Sequence, residues 1–288
     1  MQTPAPLAEA LFASVQYALP THALSRIVHR VTRARAPLLK NALIELFCRR
    51  YAIDLAEAKI SDPHAYATFN DFFIRELRAD ARPFPVDAAA LACPVDGSIS
   101  QVGALQGERL VQAKGRHFNT AELLADPEDG AAFEGGAFAT LYLAPRNYHR
   151  VHMPLAGTLL RTRLVPGRLF SVNPATARHV PRLFARNERL VCLFDTAVGV
   201  VALVLVGAML VGSIETAWAG EATPPRARRI VERDYKSEPV KLERGAELGR
   251  FNMGSSVILL CPRGAVTWAA GLGPGTAVRM GQALAAPA

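Results

Sequence analysis

Residues 197–212, AVGVVALVLVGAMLVG, constrain the fold more than any other part of this 288-residue chain. The run is the most hydrophobic in the sequence. It nevertheless falls short of the roughly 18 to 20 apolar residues that a membrane-crossing helix needs. It is also Val-rich and broken at Gly199, Gly207 and Gly212. Two buried strands joined near Gly207 fit that pattern better than one helix. Half of all residues are hydrophobic, which is ample for a sizeable core in one large domain or one domain with an appendage. Charged residues make up 20%, no segment is low-complexity and no internal repeat occurs, so extended disorder is not expected.

The first 80 or so residues read as helices. Leu11, Val15, Ala18 and Leu19 share one helical face. After Pro20, Thr21 can cap a second helix whose apolar stripe is Leu24, Ile27, Val28 and Val31, with Arg26, His29, Arg30 and Arg33 largely opposite. A third helix carries Leu39, Leu43, Leu46 and Phe47. A fourth begins near Thr68 or Asn70 and runs through Phe72, Phe73 and Leu77. Beyond Pro83, short β-type runs appear between Gly and Pro: Ser98–Val102, Phe138–Leu143, Thr158–Val165, Leu190–Phe194, the Val-rich pair and Val257–Leu260. The class is therefore α+β: a helical N-terminal segment over residues 1–82, then a β-rich domain over 83–288. The charged stretch 224–238 reads as an exposed excursion, and the Ala-rich tail after Gln282 is expected to fray.

The formal charge of +8 suggests an anionic partner. Thr21 to Arg50 hold seven basic residues (Arg26, Arg30, Arg33, Arg35, Lys40, Arg49, Arg50) against one acid, Glu45. A basic amphipathic helix there is either an ordinary surface helix or one lying in a membrane interface with its arginines toward anionic head groups. The N-terminus lacks a basic n-region, and Pro4, Pro6 and Pro20 interrupt any apolar core of a signal peptide. A soluble or peripheral protein is expected. Cys48, Cys93, Cys192 and Cys261 form no CxxC pair, which excludes a zinc ribbon or thioredoxin-like motif and leaves small buried thiols.

Three segments carry possible chemistry. Cys93-Pro94-Val95-Asp96-Gly97-Ser98 places an acid at a turn, where it can also simply bond its own backbone. Residues 142–154, YLAPRNYHRVHMP, place His149 and His152 three apart among aromatics and cations. No HExxH, third His or placed carboxylate supports a metal. Residues 249–259, GRFNMGSSVIL, place Gly254-Ser255-Ser256 between a polar turn and an apolar strand. Asp, His and Ser together allow a nucleophilic triad, and a serine hydrolase is the obvious rival. Ser255 is not in a GxSxG elbow, however, and a strand rather than a helix follows it.

The three segments resemble, in order and approximate spacing, the motifs of the bacterial phosphatidylserine decarboxylases. In that family an Asp in P-x-D-G-x-I, a His in Y-H-R-V-H-M-P and a Ser in L-G-S-T form a self-processing triad, and these fall on Asp96, His152 and Ser255. The likeness runs from residues 12–17, FASVQY, to Gly281-Gln282 and includes residues 68–73, TFNDFF, residues 166–173, PGRLFSVN, and residues 183–189, LFARNER. Here L-G-S-T becomes Met253-Gly254-Ser255-Ser256, so two hydroxyls stand side by side. The choice of Ser255 over Ser256 rests on the resemblance and on Gly254, whose missing Cβ admits a nucleophile.

The resemblance implies a self-cleaving chain. Ser255 attacks the Gly254 carbonyl, with His152 as base and Asp96 fixing its tautomer. The products are a β chain (1–254) and an α chain (255–288) whose first residue has become a pyruvoyl group. That ketone forms a Schiff base with the amine of phosphatidylserine, CO2 leaves, and phosphatidylethanolamine is released, with no metal or added cofactor. His149 is the candidate proton donor, and Tyr142 and Ser171 are candidates for holding the head group. The resemblance further implies a homodimer, peripheral attachment at the cytoplasmic face of the bacterial membrane with phosphatidylserine in an anionic bilayer as partner, and no nucleic acid. A serine hydrolase or a carrier module would instead keep the chain whole. A soluble amino-acid decarboxylase of the pyruvoyl class would not need the amphipathic N-terminus.

Overall fold

The computed structural model describes residues 5–210, 213–222, 229–253 and 255–288. Helices come first: α1 (Ala5–Ala18), α2 (Thr21–Thr32), α3 (Pro37–Tyr51) and the short α4 (Phe69–Phe73). Pro20, not Thr21, is the N-cap of α2; it makes no side-chain cap bond, and Thr21 is already helical. Pro37 opens α3, where its missing N–H is no loss. Thr68 caps α4, its Oγ accepting from the Asp71 amide at 3.0 Å. The helix stops at Phe73, short of Leu77, which forms an isolated bridge with Ala58.

The first three helices do not bury the faces their apolar residues mark. In α2 the buried residues are Thr21, Ser25 and Thr32, while Ile27 is 57% and Val31 38% exposed. In α1 Ala13 and Gln16 are buried, whereas Leu11 and Val15 are exposed. In α3 Lys40 and Ile44 are buried and Leu43 and Phe47 pack on an aromatic cluster of Tyr66, Phe69, Phe72 and Phe73, but Leu39 and Leu46 face out. Small polar groups hold these helices down. The Leu210 amide donates to Ser25 Oγ at 3.2 Å, the Ser171 amide to Gln16 Oε1 at 2.8 Å, and Lys40 Nζ to the His64 carbonyl at 2.7 Å.

The β-rich part is built on a nine-stranded antiparallel sheet. Its centre is the strand Ser255–Cys261, flanked by Gly199–Gly207 and Ala137–Leu143. Successive side chains alternate between two cores. Val201, Leu203 and Leu205 join Val257, Leu259 and Cys261 on one face; Ala202, Val204 and Val206 join Ile258 and Leu260 on the other. A strand covered on both faces reads as an unbroken apolar run, because no face is left for polar residues.

The same burial corrects the expectation for residues 197–212. The described part is one strand, Gly199–Gly207, hairpinned to Arg189–Thr196. The turn lies at Ala197-Val198 and is closed by Gly199, whose φ of 93° suits glycine. Gly207 is not a turn: it stays in the strand and passes close to the Glu188 carbonyl, which accepts from its amide at 2.8 Å. Residues 211–212 lie outside the described residues. The tail after Gln282 does not fray either. Ala283–Pro287 pairs with Leu91–Ala92 and Val266–Trp268, and Leu284 and Ala285 are buried. Of the charged excursion, residues 224–228 are outside the described residues, and Val231–Asp234 is an exposed edge strand on Gly157–Val165. The four cysteines are free and all but Cys48 are buried.

Candidate active site

A second, four-stranded sheet orders Gly220–Glu221, Ile214–Thr216, Glu247–Phe251 and Arg150–His152. From Phe251 the chain passes into the central strand at Ser255. Two ties frame this crossing. The Phe251 amide donates to the His149 carbonyl at 3.0 Å, and Ser255 pairs with Leu143. The loop carrying Arg146, Asn147 and Tyr148 is thereby fastened at both ends to the segment carrying Asn252 and Met253. Gly254, the expected cleavage residue, lies outside the described residues.

Ser255 and Ser256 are both buried, and neither hydroxyl has a partner among the described residues. Their register separates them. Ser255 stands opposite Leu143 and Gly207; Ser256 stands opposite Tyr142 and Val206. Because side chains alternate along a strand, the two hydroxyls leave opposite faces of the sheet. Met253, two residues before Ser255, has φ 100°, a strained value for a residue with a Cβ. Asn252 is fixed beside it: its Nδ2 donates to Ser213 Oγ at 2.8 Å, and its Oδ1 accepts from Asn70 at 3.0 Å.

His152 and His149 have separate surroundings. His152 Nδ1 lies 2.9 Å from the Gly245 carbonyl and Nε2 lies 2.9 Å from the Tyr148 hydroxyl. A carbonyl can only accept, so the network puts the proton on Nδ1 and leaves Nε2 to accept from Tyr148. Gly245, rather than Asp96, therefore fixes the tautomer, which corrects the orienting role expected of Asp96. Burial pushes the His152 imidazole below its ordinary value, opposed by the Gly245 carbonyl and the carboxylates of Glu247 and Asp96. Asp96 thus reaches His152 by its charge and not by a hydrogen bond. Nor does the Asp96 carboxylate bond its own turn. It takes a two-pronged bond from Arg82 (3.0 and 2.6 Å) and the Met280 amide at 2.8 Å. Arg82, which sequence reasoning did not single out, is held fully charged by Asp96 and Glu57.

His149 is completely buried and stacks on Phe73 at 4.1 Å between ring centroids. Neither ring nitrogen has a partner among the described residues. Burial, with the Arg75 guanidinium as a second cause, pushes its pKa down to about 3. The ring is uncharged at neutral pH. His149 lies just before the strand Arg150–His152, so the two histidines face different neighbours: Phe73 for one, Tyr148 and the Gly245 carbonyl for the other.

A cavity of about 510 Å³ lies beside these groups, lined by Arg75, Arg82, Asp96, Tyr142, Tyr148 and Arg146 among others. Tyr142 lines it and also a neighbouring cavity of about 410 Å³. Ser171 lines neither; it is tied through its backbone to Gln16 and Thr176. The structure thus gathers Asp96, Tyr142 and Tyr148 at one cavity, and holds His152 on, and His149 just before, the strand paired to the segment before Ser255. It does not join Asp96, His152 and Ser255 in one chain of hydrogen bonds among the described residues. Arg75, Arg82 and Tyr148 were missed from sequence because their importance lies in partners that are remote or in neighbours too common in type to stand out.

Comparison with known proteins gives a consistent result. The family model described as phosphatidylserine decarboxylase matches residues 69–286, and a model described as PSD matches residues 11–52. A phosphatidylserine decarboxylase proenzyme of Methylococcus capsulatus is 57% identical over 275 residues, covering 95% of this chain and 96% of its own. Proteins of the same name from Bordetella pertussis and Pseudomonas putida are each 54% identical, over 286 and 281 residues, covering 98% and 96% of this chain and 96% and 98% of their own.

Proposed function

The chain belongs to the phosphatidylserine decarboxylase family, and we propose that it decarboxylates phosphatidylserine to phosphatidylethanolamine at a site it makes by cutting itself before Ser255. The observation that carries this reading is the Ser255 hydroxyl. It is buried and without a partner among the described residues, at the head of the central strand and just after the strained Met253. A buried polar group left unpaired is rare in folded proteins and is tolerated where chemistry needs it. Met253, two residues before Ser255, holds a positive φ of the kind that clusters at functional sites.

In the proposed self-processing, Ser255 Oγ adds to the Gly254 carbonyl and its proton passes to His152 Nε2. That requires Nε2 to exchange its Tyr148 hydrogen bond for one from Ser255. Burial keeps the His152 ring uncharged and ready to accept, and the Asp96 charge supports the imidazolium once formed. The amide becomes an ester. Loss of the α-proton of residue 255 expels the Gly254 carboxylate, and water replaces the remaining nitrogen, released as ammonia, to leave a pyruvoyl group on the 255–288 chain. The effective concentration of a held nucleophile replaces any external protease. The pyruvoyl group supplies an electron sink for the pair released as the carboxylate departs as CO2. His149 delivers a proton to the α-carbon. An anionic substrate beside it raises its proton affinity, as that role requires. Tyr142 orients the head group from the cavity wall.

The finer partners belong to the same proposal: an anionic bilayer at the cytoplasmic face, and a second copy of the chain. No helix among the described residues is long and apolar enough to cross a membrane. Support for docking comes from α2, which turns small polar residues inward and Ile27 and Val31 outward, with Arg26, Arg30 and Arg35 exposed. Arg33 is half-buried and near Glu215, so it belongs to the packed side.

The test is the denatured mass of the purified protein. Two chains split before residue 255, the smaller one without a free N-terminal amine, are expected. A single intact chain that decarboxylates phosphatidylserine would overturn the self-processing route.

A further inference from the structure

Arg75 stands apart from the other buried arginines. Arg82 pairs with Asp96 and Glu57; Arg163 pairs with Asp126, Asp129 and Glu232; Arg189 donates to four backbone carbonyls. Arg75 is only 6% exposed, and its Nε and Nη1 have no partner among the described residues. Its one hydrogen bond is long, 3.3 Å from Nη2 to the Arg146 carbonyl, and its Cζ lies 5.7 Å from the Phe72 ring centroid. Among the described residues no carboxylate forms an ion pair with it.

A guanidinium withdrawn from water with two of its nitrogens unpaired is costly, and an anion that engages it recovers part of that cost. Arg75 lines the 510 Å³ cavity that also holds Asp96, Tyr142 and Tyr148. Its charge is felt by His149, which stacks on Phe73 two residues away, and Phe73 packs in the cluster that includes Met253. The Arg75 side chain therefore borders both the cavity and the aromatic cluster that reaches Met253, with its Nε and Nη1 themselves sealed from solvent. A single long bond to a loop carbonyl leaves it able to turn into the cavity.

We propose that Arg75 binds the phosphodiester of phosphatidylserine through its Nε–Nη2 edge, the edge with which Arg82 grips Asp96, Nη2 exchanging its long bond to the Arg146 carbonyl for a phosphate oxygen. This rests on the decarboxylase reading above. Phosphatidylserine offers two anions, and the reaction distinguishes them. The carboxylate loses its charge as CO2 forms, so a guanidinium upon it would stabilise the ground state more than the transition state and slow the step. The phosphodiester keeps its charge from substrate to product. Holding it costs nothing in the chemical step, and the planar fork matches two phosphate oxygens.

The experiment compares wild type, Arg75→Gln and Arg75→Lys after processing. Cleavage is read by denatured mass, kcat and KM on dihexanoyl phosphatidylserine. Dihexanoyl phosphatidylethanolamine, which has the phosphodiester and no carboxylate, and O-butylserine, which has the carboxylate and no phosphate, serve as competing probes. A charge-assisted bond typically contributes enough for Arg75→Gln to raise KM and the phosphatidylethanolamine Kd by about 10- to 100-fold. kcat should stay within a few-fold and O-butylserine inhibition should not change. Arg75→Lys, which keeps charge and loses the fork, should fall between. Weakened O-butylserine with unchanged phosphatidylethanolamine would assign Arg75 to the carboxylate and overturn the proposal. Unchanged affinity for both probes would make it structural. Folded variants that fail to cleave, Lys included, would move Arg75 into self-processing and also overturn it. A wild type that does not decarboxylate phosphatidylserine would instead sink the functional reading itself.

Discussion

Lowering the pH from 7.5 to 4.5 should cost the folded chain about 3 kcal/mol at His149 alone. The ring is fully buried and its pKa is pushed from 6.5 to about 3, by burial first and Arg75 second. Its folded value lies below its unfolded value, so between these limits the unfolded chain binds the extra proton. Stability is therefore lost as pH falls below about 6.5, at roughly 1.4 kcal/mol per unit, and the loss is complete near pH 3. At pH 4.5 two units have been crossed, which gives the figure of about 3 kcal/mol. Above 6.5 the group contributes nothing. His149→Phe keeps a flat ring against Phe73 and removes the titration. Both versions are made in the Ser255→Ala chain, so that cleavage does not complicate unfolding. Urea midpoints and slopes are measured at pH 7.5 and 4.5. Other groups also titrate in this range, Glu188 among them, its burial raising its pKa to about 7. They are common to both chains and cancel in the comparison. The Phe chain should lose about 3 kcal/mol less than the His chain. A difference below about 0.5 kcal/mol would refute a buried, uncharged His149.

Ser255→Ala should abolish cleavage and decarboxylation together, whereas Ser256→Ala, on the opposite face of the sheet, should still cleave; denatured mass reads both, and the reverse pattern would move the nucleophile to Ser256. Arg82→Gln removes one side of a buried pair with Asp96 and should destabilise the chain by about 3 to 5 kcal/mol in urea unfolding. A loss under 1 kcal/mol would mean that Glu57 and solvent already satisfy the site. Arg26, Arg30 and Arg35 changed together to Glu should release the protein from anionic vesicles at physiological salt, each contributing on the order of 1 kcal/mol, while activity on a short-chain soluble phosphatidylserine survives. Unchanged vesicle sedimentation would assign docking to another surface or to a second copy of the chain.

The central strand and the helical start were legible because both are written in local pattern. Val257–Leu260 is an apolar run with no polar side to offer, and Ser255–Cys261 is buried on both faces. Thr68 is a good cap by residue type alone, and it does cap α4. Where two local readings competed, sequence chose badly. Gly199 and Gly207 are equal in composition, but one closes a hairpin with φ 93° and the other lets a neighbouring carbonyl approach. The Ala-rich tail has no strong propensity of its own and is a strand only because Leu91–Ala92 and Val266–Trp268 supply partners.

Sequence by itself determined the order of elements, the amphipathic stripe of α2 and which residue types could carry chemistry. Each is a property of near neighbours along the chain. Tertiary structure decided what those residues meet. It gave Asp96 to Arg82 and to the amide of Met280, 184 residues away, and gave the His152 tautomer to Gly245, 93 residues away. It sent Ser255 and Ser256 to opposite faces. It also turned the polar side of α2 inward. A hydrophobic period says that a stripe must leave water, but the energy is the same per unit area whether protein or lipid covers it. Only the packing of the other helical face against the domain reveals which side remained to be covered.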